Sequence, residues 1–151
     1  MIYRFLFYFS SYLEKKYDVL RTSDPYISSY IIVGFTIAVN IFVIFQIAWC
    51  LFIKNIIVME IAYKLMYVLI IAMIIISYLH FKHENRRDEI YNEIHQYSAK
   101  LKFKYGLYCL LYLVISYGSW FICNDIVCVL RNGYGNRYAT EIVNMLNLTL
   151  H

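Results

Sequence analysis

Three long apolar runs dominate the pattern of hydrophobic and polar positions along the chain. Residues 28–53 contain no charged residue and no proline, and as a helix they would extend about 39 Å, which exceeds the roughly 30 Å hydrocarbon core of a bilayer. Residues 65–81 and 105–123 also lack Asp, Glu, Lys and Arg, and a mostly apolar segment extends the former to 56–81. The pattern therefore predicts an all-α fold, a polytopic membrane bundle with three transmembrane helices.

The N-terminal segment, residues 2–20, has the period of an amphipathic helix. Its apolar face consists of Ile2, Leu6, Phe9, Leu13, Tyr17 and Leu20, and its polar face of Arg4, Ser11, Lys15 and Asp18. A basic polar face opposite leucine and aromatic side chains predicts a helix lying in the membrane interface. Packing of the apolar face against protein is the alternative. Ser23 or Asp24 is expected to cap the following helix, because Pro25 suits a first helical position.

The segment between the second and third predicted spans, residues 82–104, is the most charged part of the chain. Four of its apolar residues recur at helical spacing, namely Ile90, Ile94, Tyr97 and Leu101. This stripe predicts that the second helix continues past the membrane and that a turn near Ser98 leads into the third helix. A separate surface helix is the alternative. Residues 124–151 are predicted to be an outer tail, which re-enters the membrane in a four-span alternative, and residues 1–151 form one membrane domain.

Composition and charge place the chain in a membrane and give it an orientation. Of the 151 residues, 62% are apolar and 16% are charged, whereas about a quarter are charged in soluble domains. Ten of the fourteen Lys and Arg residues lie in the first 27 residues and in 82–104. The positive-inside rule then makes these two segments cytoplasmic and the C-terminus external, in an inner or plasma membrane. Because the basic residues mark membrane edges, we expect no nucleic-acid partner.

Polar side chains within the predicted spans are candidates for helix packing, because a polar group in lipid seeks a partner on a neighbouring helix. The candidates are Thr36, Asn40 and Gln46 in the first span and Tyr112, Ser116 and Ser119 in the third. A pore lining is the alternative interpretation of both sets. Gly34 and Ala38 form a pair of small residues, four positions apart, that permits close approach of two helices.

The charged and metal-ligating residues form no catalytic pattern. Glu60 and Lys64 are spaced for an i, i+4 ion pair, with a proton or ion relay as the alternative. His80, His83 and Glu84 are interpreted as solvated interface residues because no further metal ligand accompanies them. We therefore expect no catalytic residue, no metal and no cofactor. Three cysteines are predicted to lie toward the outside, namely Cys50, Cys123 and Cys128. They are interpreted either as small apolar residues with free thiols or as members of a disulfide.

Several features of the first 120 residues occur together: a short aromatic N-terminal helix, the sequence 23–25 before the first span, Asn40 in mid-span and a charged stretch from Arg86 to Glu93. This layout resembles a group of small bacterial three-span membrane proteins. The group carries no agreed activity, so the resemblance implies a fold and no functional residue.

The sequence therefore favours a non-catalytic structural or interaction component of a membrane assembly. Its expected partners are the lipid bilayer and either a second copy of the chain or another membrane protein. Two alternatives stay open. One is a homo-oligomeric pore or membrane-disrupting effector, and the other is an immunity protein against a membrane toxin. A transporter is disfavoured because the chain has no inverted repeat.

Overall fold

The computed structural model describes residues 2–17, 24, 26–53, 56–82, 86–132 and 136–146, which are almost entirely helical and contain no strand. The helices are α1 (Ile2–Tyr17), α2 (Ile27–Ala48), α3 (Ile56–Lys82), α4 (Arg86–His95), α5 (Ala99–Asn132) and α6 (Arg137–Met145). The prediction of an all-helical fold is confirmed.

Three helical segments are long and apolar enough to cross a membrane, namely Ile27–Phe52, Ile57–Lys82 and Ala99–Asn132. The first joins α2 to one π-helical turn, Trp49–Ile53. The third is longer than the predicted span at both ends: at 34 residues it extends about 51 Å, well beyond a bilayer's hydrocarbon core. Lysine at its start and an Asn-Asp pair near its end do not stop the helix, because these side chains leave the backbone hydrogen bonds intact.

The charged segment before α5 contains the helix α4, and the junction 83–85, through which the sequence predicts that the second helix continues, lies outside the described residues. α3 ends at Lys82, and α4 covers Arg86–His95. α5 begins at Ala99, directly after Ser98. Ser98 caps this start, because its hydroxyl accepts the backbone N–H of Leu101 at 3.4 Å.

Asp24 organises the beginning of α2 as the sequence suggests. Its carboxylate Oδ1 accepts the backbone N–H of Tyr26 at 2.9 Å, and its carbonyl accepts the N–H of Ile27 at 3.2 Å. These bonds satisfy donors that a helix start otherwise leaves unpaired. The other two residues predicted at this start, Ser23 and Pro25, lie outside the described residues.

The chain divides into two compact units. Unit 1 comprises Met1–Ile37 and Ile70–Val114, and unit 2 comprises Ala38–Leu69 and Ile115–His151. Aromatic side chains of α1 form the core of unit 1. The fully buried ring of Phe7 stacks on Phe81 with centroids 4.4 Å apart. Phe5 stacks on Tyr105 at 4.1 Å. α1 therefore packs against protein along one face.

The face that α1 buries inside the chain overlaps only in part with the apolar face that the sequence predicts, since Leu6 of that face is buried. Leu13 and Tyr17, assigned to the apolar face, are 50% and 61% exposed. Ser11, assigned to the polar face, is completely buried. Its hydroxyl donates to the carbonyl oxygen of Phe7 at 2.8 Å and lies 2.6 Å from the hydroxyl of Ser29. The burial of Ser11 has a steric reason, because a small hydroxyl side chain that satisfies its own hydrogen bonds lets two helices approach more closely than leucine would.

α2 and α3 approach most tightly at Gly34, within unit 1. A Cβ atom at this position would lie 2.6 Å from the Cα of Ile74 and 2.8 Å from the carbonyl oxygen of Met73. Both are backbone atoms that cannot rotate away. Only glycine fits this crossing, which is the use that the small-residue pattern predicts.

In unit 2, α6 packs onto the end of α5. Val129, Ala139 and Val143 form a small buried apolar cluster. Asp125 of α5 accepts hydrogen bonds from the side chains of Asn136, at 2.8 Å, and Tyr138. At nine residues α6 is about 14 Å long, too short to cross a bilayer. The described part of the tail therefore contains no fourth span.

Candidate functional site

A buried polar cluster joins three helices in unit 2. Gln46 of α2 is completely buried. Its amide Nε2 donates to the Asn124 side-chain oxygen of α5 at 2.7 Å and to the Tyr63 hydroxyl of α3 at 3.1 Å. The Tyr63 hydroxyl donates to the same Asn124 oxygen at 2.7 Å. Among the described residues, the Gln46 Oε1 atom has no hydrogen-bond partner.

This amide–phenol cluster has the chemistry of helix packing. Neither amide gains or loses a proton near neutral pH, so both amides act only as hydrogen-bonding groups. In an apolar surrounding, each such interhelical hydrogen bond contributes about 0.6 kcal/mol on average and up to about 1.7 kcal/mol. Gln46 therefore lies between its own helix and two others.

Two members of the cluster, Tyr63 and Asn124, are absent from the residues predicted from the sequence. Asn124 was assigned to the end of the third span, but α5 continues for eight more residues. The signal available in the sequence is the apolar run 126–130, which begins two residues after Asn124, since the end of a span is followed by polar residues. Tyr63 gave no signal, because it is one of 17 tyrosines in the chain.

The two other candidates of the first span differ in burial. Thr36 is completely buried, and its hydroxyl donates to the carbonyl oxygen of Ile32 at 2.7 Å, one turn earlier in the same helix. This bond satisfies the hydroxyl proton within the same helix. Asn40 is half-buried. Neither side chain is presented on an open surface of the chain.

The polar residues predicted on the third span, which lie on α5, are partly buried within the chain. The Tyr112 hydroxyl lies 2.7 Å from the Tyr3 hydroxyl of α1, and the two rings meet edge to face. Ser116 is buried, whereas Ser119 is half-buried. The sequence does not predict Tyr3 as a partner of Tyr112, because Tyr3 belongs neither to the predicted apolar face nor to the predicted polar face of α1.

Glu60 forms an ion pair, but with a different partner from the one predicted. Its carboxylate accepts Nη2 of Arg131 at 2.7 Å, and both side chains are about half exposed. Lys64 is exposed and makes no ion pair among the described residues. The i, i+4 pair of Glu60 with Lys64 is therefore corrected. Extension of α5 to Asn132 brings a guanidinium, with its fork of donors, within reach of Glu60.

A charged and aromatic network connects α1 with α4 in unit 1. The Tyr26 hydroxyl donates to Asp88 Oδ1 at 2.5 Å and accepts from Lys15 Nζ at 2.7 Å. Lys15 Nζ also lies 3.6 Å from the centroid of the Tyr91 ring. Burial, and after it the hydrogen bond to Asp88, raise the pKa of Tyr26 above its ordinary range. The network therefore holds a neutral phenol between an ammonium and a carboxylate.

A second ionic contact joins the same two helices. Arg4 of α1 donates to Glu93 of α4 at 2.5 Å. Both side chains are about half exposed, so solvent screens the pair and it orients more than it stabilises. The Tyr8 hydroxyl lies 3.2 Å from Nδ1 of His95 at the end of α4. α4 is thus fixed to α1 along its length.

The described residues hold no group of three or more metal-ligating side chains. His80 is exposed, and the two residues grouped with it in the sequence, His83 and Glu84, lie outside the described residues. The four cysteines are free thiols. Cys50 and Cys109 are buried, and Cys128 is exposed.

Comparison with protein-family models, with curated proteins and with solved structures found no match to this chain. The fold by itself defines the class of this protein: an all-helical chain with three helices long and apolar enough to span a membrane.

Proposed function

We propose that this chain is a multi-pass protein of the inner or plasma membrane and a non-catalytic structural or interaction component of a membrane assembly. The uncovered apolar surface of two helices supports membrane insertion. Only 11% of the most apolar stretch of Ile57–Lys82 and 17% of that of Ala99–Asn132 is buried inside the chain. The exposed side chains there are large and apolar, for example Ile71 and Leu111. Water would disfavour so much apolar surface, whereas lipid covers it.

The proposed orientation follows the positive-inside rule, with the N-terminus and residues 82–104 in the cytoplasm and the C-terminal tail outside. α1 then lies at the cytoplasmic interface, with one face on the protein and the other in lipid. The exposed Leu13 and Tyr17 belong to the lipid-facing side. Lys16, which is exposed, extends toward the headgroups.

The open surface around Gly118 carries the interaction part of the proposal. A Cβ atom at Gly118 would meet no atom within 4 Å. Its neighbours on the same face of α5, Ile115, Phe121 and Ile122, are exposed. A glycine surrounded by exposed apolar side chains lets the backbone of another transmembrane helix approach closely. That helix belongs either to a second copy of the chain or to another membrane protein.

Gly118→Leu tests this interface. Cross-linking in native membranes, followed by purification in mild detergent, reports association with a second copy or with another protein. We expect Gly118→Leu to lose the associated species while the free energy of unfolding in detergent stays within about 1 kcal/mol of wild type, because the added side chain meets open space. Val68→Leu, on the exposed surface of α3, adds bulk where no glycine is present and is the matched control.

Wild-type association in Gly118→Leu would exclude this face as the interface. Dye-loaded vesicles separate the proposal from the pore alternative. Vesicles that contain the inserted protein are expected to stay sealed, and release of dye would instead identify a pore-forming or membrane-disrupting protein.

A further inference from the structure

Unit 1 contains a cavity of about 560 Å³ whose wall is contributed by α1, α2, α3 and α4. The wall changes character from one end to the other. Val33, Ile37 and Ile76 form an apolar part, and Arg86 and His80 form a polar part. A cavity with both kinds of wall suits an amphiphilic ligand.

The apolar part lies within two candidate membrane spans. Val33 and Ile37 follow the start of α2 by six and ten residues, which corresponds to about 9 and 15 Å along the helix. Ile76 precedes the end of α3, at Lys82, by six residues, or about 9 Å. In a bilayer these side chains would lie at the depth of the acyl chains.

The polar part carries positive charge. The Arg86 Nη1 atom is 3.4 and 3.3 Å from the two ring nitrogens of His80, and Arg86 forms no ion pair with a carboxylate among the described residues. Arg4 adds a second guanidinium, which Glu93 holds in place. Glu89 also lines the wall and Glu93 pairs with Arg4, so Arg86 is the lining guanidinium that no carboxylate holds among the described residues. The guanidinium of Arg86, which has donors left over, favours an anionic group such as a phosphate.

Ser77 lies between the two parts and has an unused hydrogen-bonding group. The residue is 3% exposed and lines the cavity, and its hydroxyl has no partner among the described residues. Ser77 precedes His80 by three residues, so it lies about 4.5 Å farther along α3 from the polar part. A buried hydroxyl without a partner is costly, and a bound acceptor would satisfy it.

We propose that this cavity binds one anionic glycerophospholipid of the surrounding bilayer. Its phosphate contacts Arg86 and His80, an ester carbonyl accepts the hydrogen bond of Ser77, and an acyl chain lies along Val33 and Ile37. The order of these groups along the lipid matches their order along the cavity. This inference rests on one part of the proposed function, namely that the protein resides in a bilayer.

The test measures lipid retained by the protein. Wild type is reconstituted into phosphatidylcholine bilayers that contain a small fraction of phosphatidylglycerol, re-extracted in mild detergent, and examined by native mass spectrometry and thermal unfolding. We expect one retained phosphatidylglycerol and a rise in unfolding temperature when phosphatidylglycerol, but not phosphatidylcholine, is added. Arg86→Gln should weaken retention about tenfold or more, since it removes a charged hydrogen-bond donor. Ser77→Ala should weaken it by a smaller factor.

Lys100→Gln is the matched control, because it removes the same charge from an exposed position that does not line the cavity. Equal retention of both lipids would overturn the proposal. Equal losses in Arg86→Gln and Lys100→Gln would also overturn it, since they indicate general attraction to a basic surface. If glycerol 3-phosphate raises the unfolding temperature by as much as phosphatidylglycerol does, the lipid proposal is overturned and the cavity is a site for a free anion.

A separate experiment, extraction of membranes with alkaline carbonate, distinguishes failure of the proposed function from failure of the lipid site. A chain that alkaline carbonate washes from membranes would contradict the proposed function, whereas a chain that stays inserted but shows no lipid preference contradicts only the lipid site.

Discussion

Gly34 and Gly118 show how one residue type has two roles in this chain. Both belong to helices of candidate spans, where glycine lowers the intrinsic helix propensity by about 1 kcal/mol relative to alanine. At Gly34 the backbone of another helix occupies the space that a side chain would need. At Gly118 that space is open. The first glycine therefore serves the packing of the chain itself, and the second is available to a partner.

Gly34→Ala is expected to destabilise the protein by about 1–3 kcal/mol, because the new methyl group meets backbone atoms of Ile74 and Met73 and forces the helices apart. The free energy of unfolding is measured by titration with a denaturing detergent. Gly118→Ala, examined on the dissociated chain, is the control and should be neutral or slightly stabilising. Equal effects of the two substitutions would contradict the close crossing at Gly34.

Buried hydroxyl and amide groups show that burial in this chain does not follow polarity. Ser11, Thr36 and Gln46 are completely buried, while many leucine and isoleucine side chains are exposed. Each of these three polar groups has at least one hydrogen bond inside the chain. In lipid the inverted distribution is favourable, because apolar side chains gain nothing by leaving lipid whereas polar groups gain by pairing.

At the scale of the elements, Tyr26 is the central contact between α1 and α4. It lies immediately before α2, donates to Asp88 of α4 and accepts from Lys15 of α1. The Arg87 guanidinium carbon is 5.1 Å from its ring centroid, and Tyr91 packs against it edge to face. The raised pKa of Tyr26 means that the folded chain holds the phenolic proton more tightly than the unfolded chain.

Tyr26→Phe should lower the free energy of unfolding by about 0.5–1.5 kcal/mol at pH 8, because it removes a hydrogen bond to the Asp88 carboxylate, which is about half exposed and gains water in its place. The stabilising contribution of Tyr26 is complete below its unfolded pKa of about 10 and falls as the pH rises further, since only the unfolded chain then releases the proton. The difference between wild type and Tyr26→Phe is therefore expected to shrink above pH 10.

Unfolding titrations between pH 8 and pH 11 check this prediction, with Tyr17→Phe as the control because Tyr17 is exposed on α1. Burial lowers the pKa of Lys15, so the contribution of Lys15 to the free energy of unfolding rises with pH, opposite to that of Tyr26. Lys15 is present in both proteins, so its contribution does not enter their difference. A difference between wild type and Tyr26→Phe that stays constant over this range would show that Tyr26 titrates normally.

For the whole molecule, the distribution of basic residues predicts the orientation of the chain in the bilayer. Most Lys and Arg residues lie before the first predicted span and in 82–104, and both segments are expected in the cytoplasm. Asn92 of α4 and Asn144 of α6 are exposed, so cysteines at these positions would be accessible to reagents on their own side of the membrane.

Asn92→Cys and Asn144→Cys, each in a chain whose four native cysteines are replaced by alanine, measure this orientation. In intact cells a membrane-impermeant maleimide should label Asn144→Cys and should leave Asn92→Cys unlabelled until the membrane is permeabilised. Labelling of Asn92→Cys from outside would reverse the proposed topology, and labelling of both variants would contradict the three-span count.

The apolar runs by themselves determined the secondary structure and the number of long apolar helices. Runs of this length are informative because only a helix satisfies every backbone hydrogen bond within one apolar segment. The sequence also indicated that Gln46 would pack between helices and that Gly34 would permit a close crossing. These outcomes depend on local composition and spacing, which are visible along the chain.

Only the tertiary structure decided which partners these residues meet. Glu60 pairs with Arg131 rather than Lys64, Asn124 joins Gln46, and α1 buries Ser11 while it exposes Leu13. In a chain whose surface is largely apolar, hydrophobicity no longer distinguishes the inner face of a helix from its outer face. Shape and hydrogen-bond geometry make that choice, and both arise from residues that are distant in the sequence.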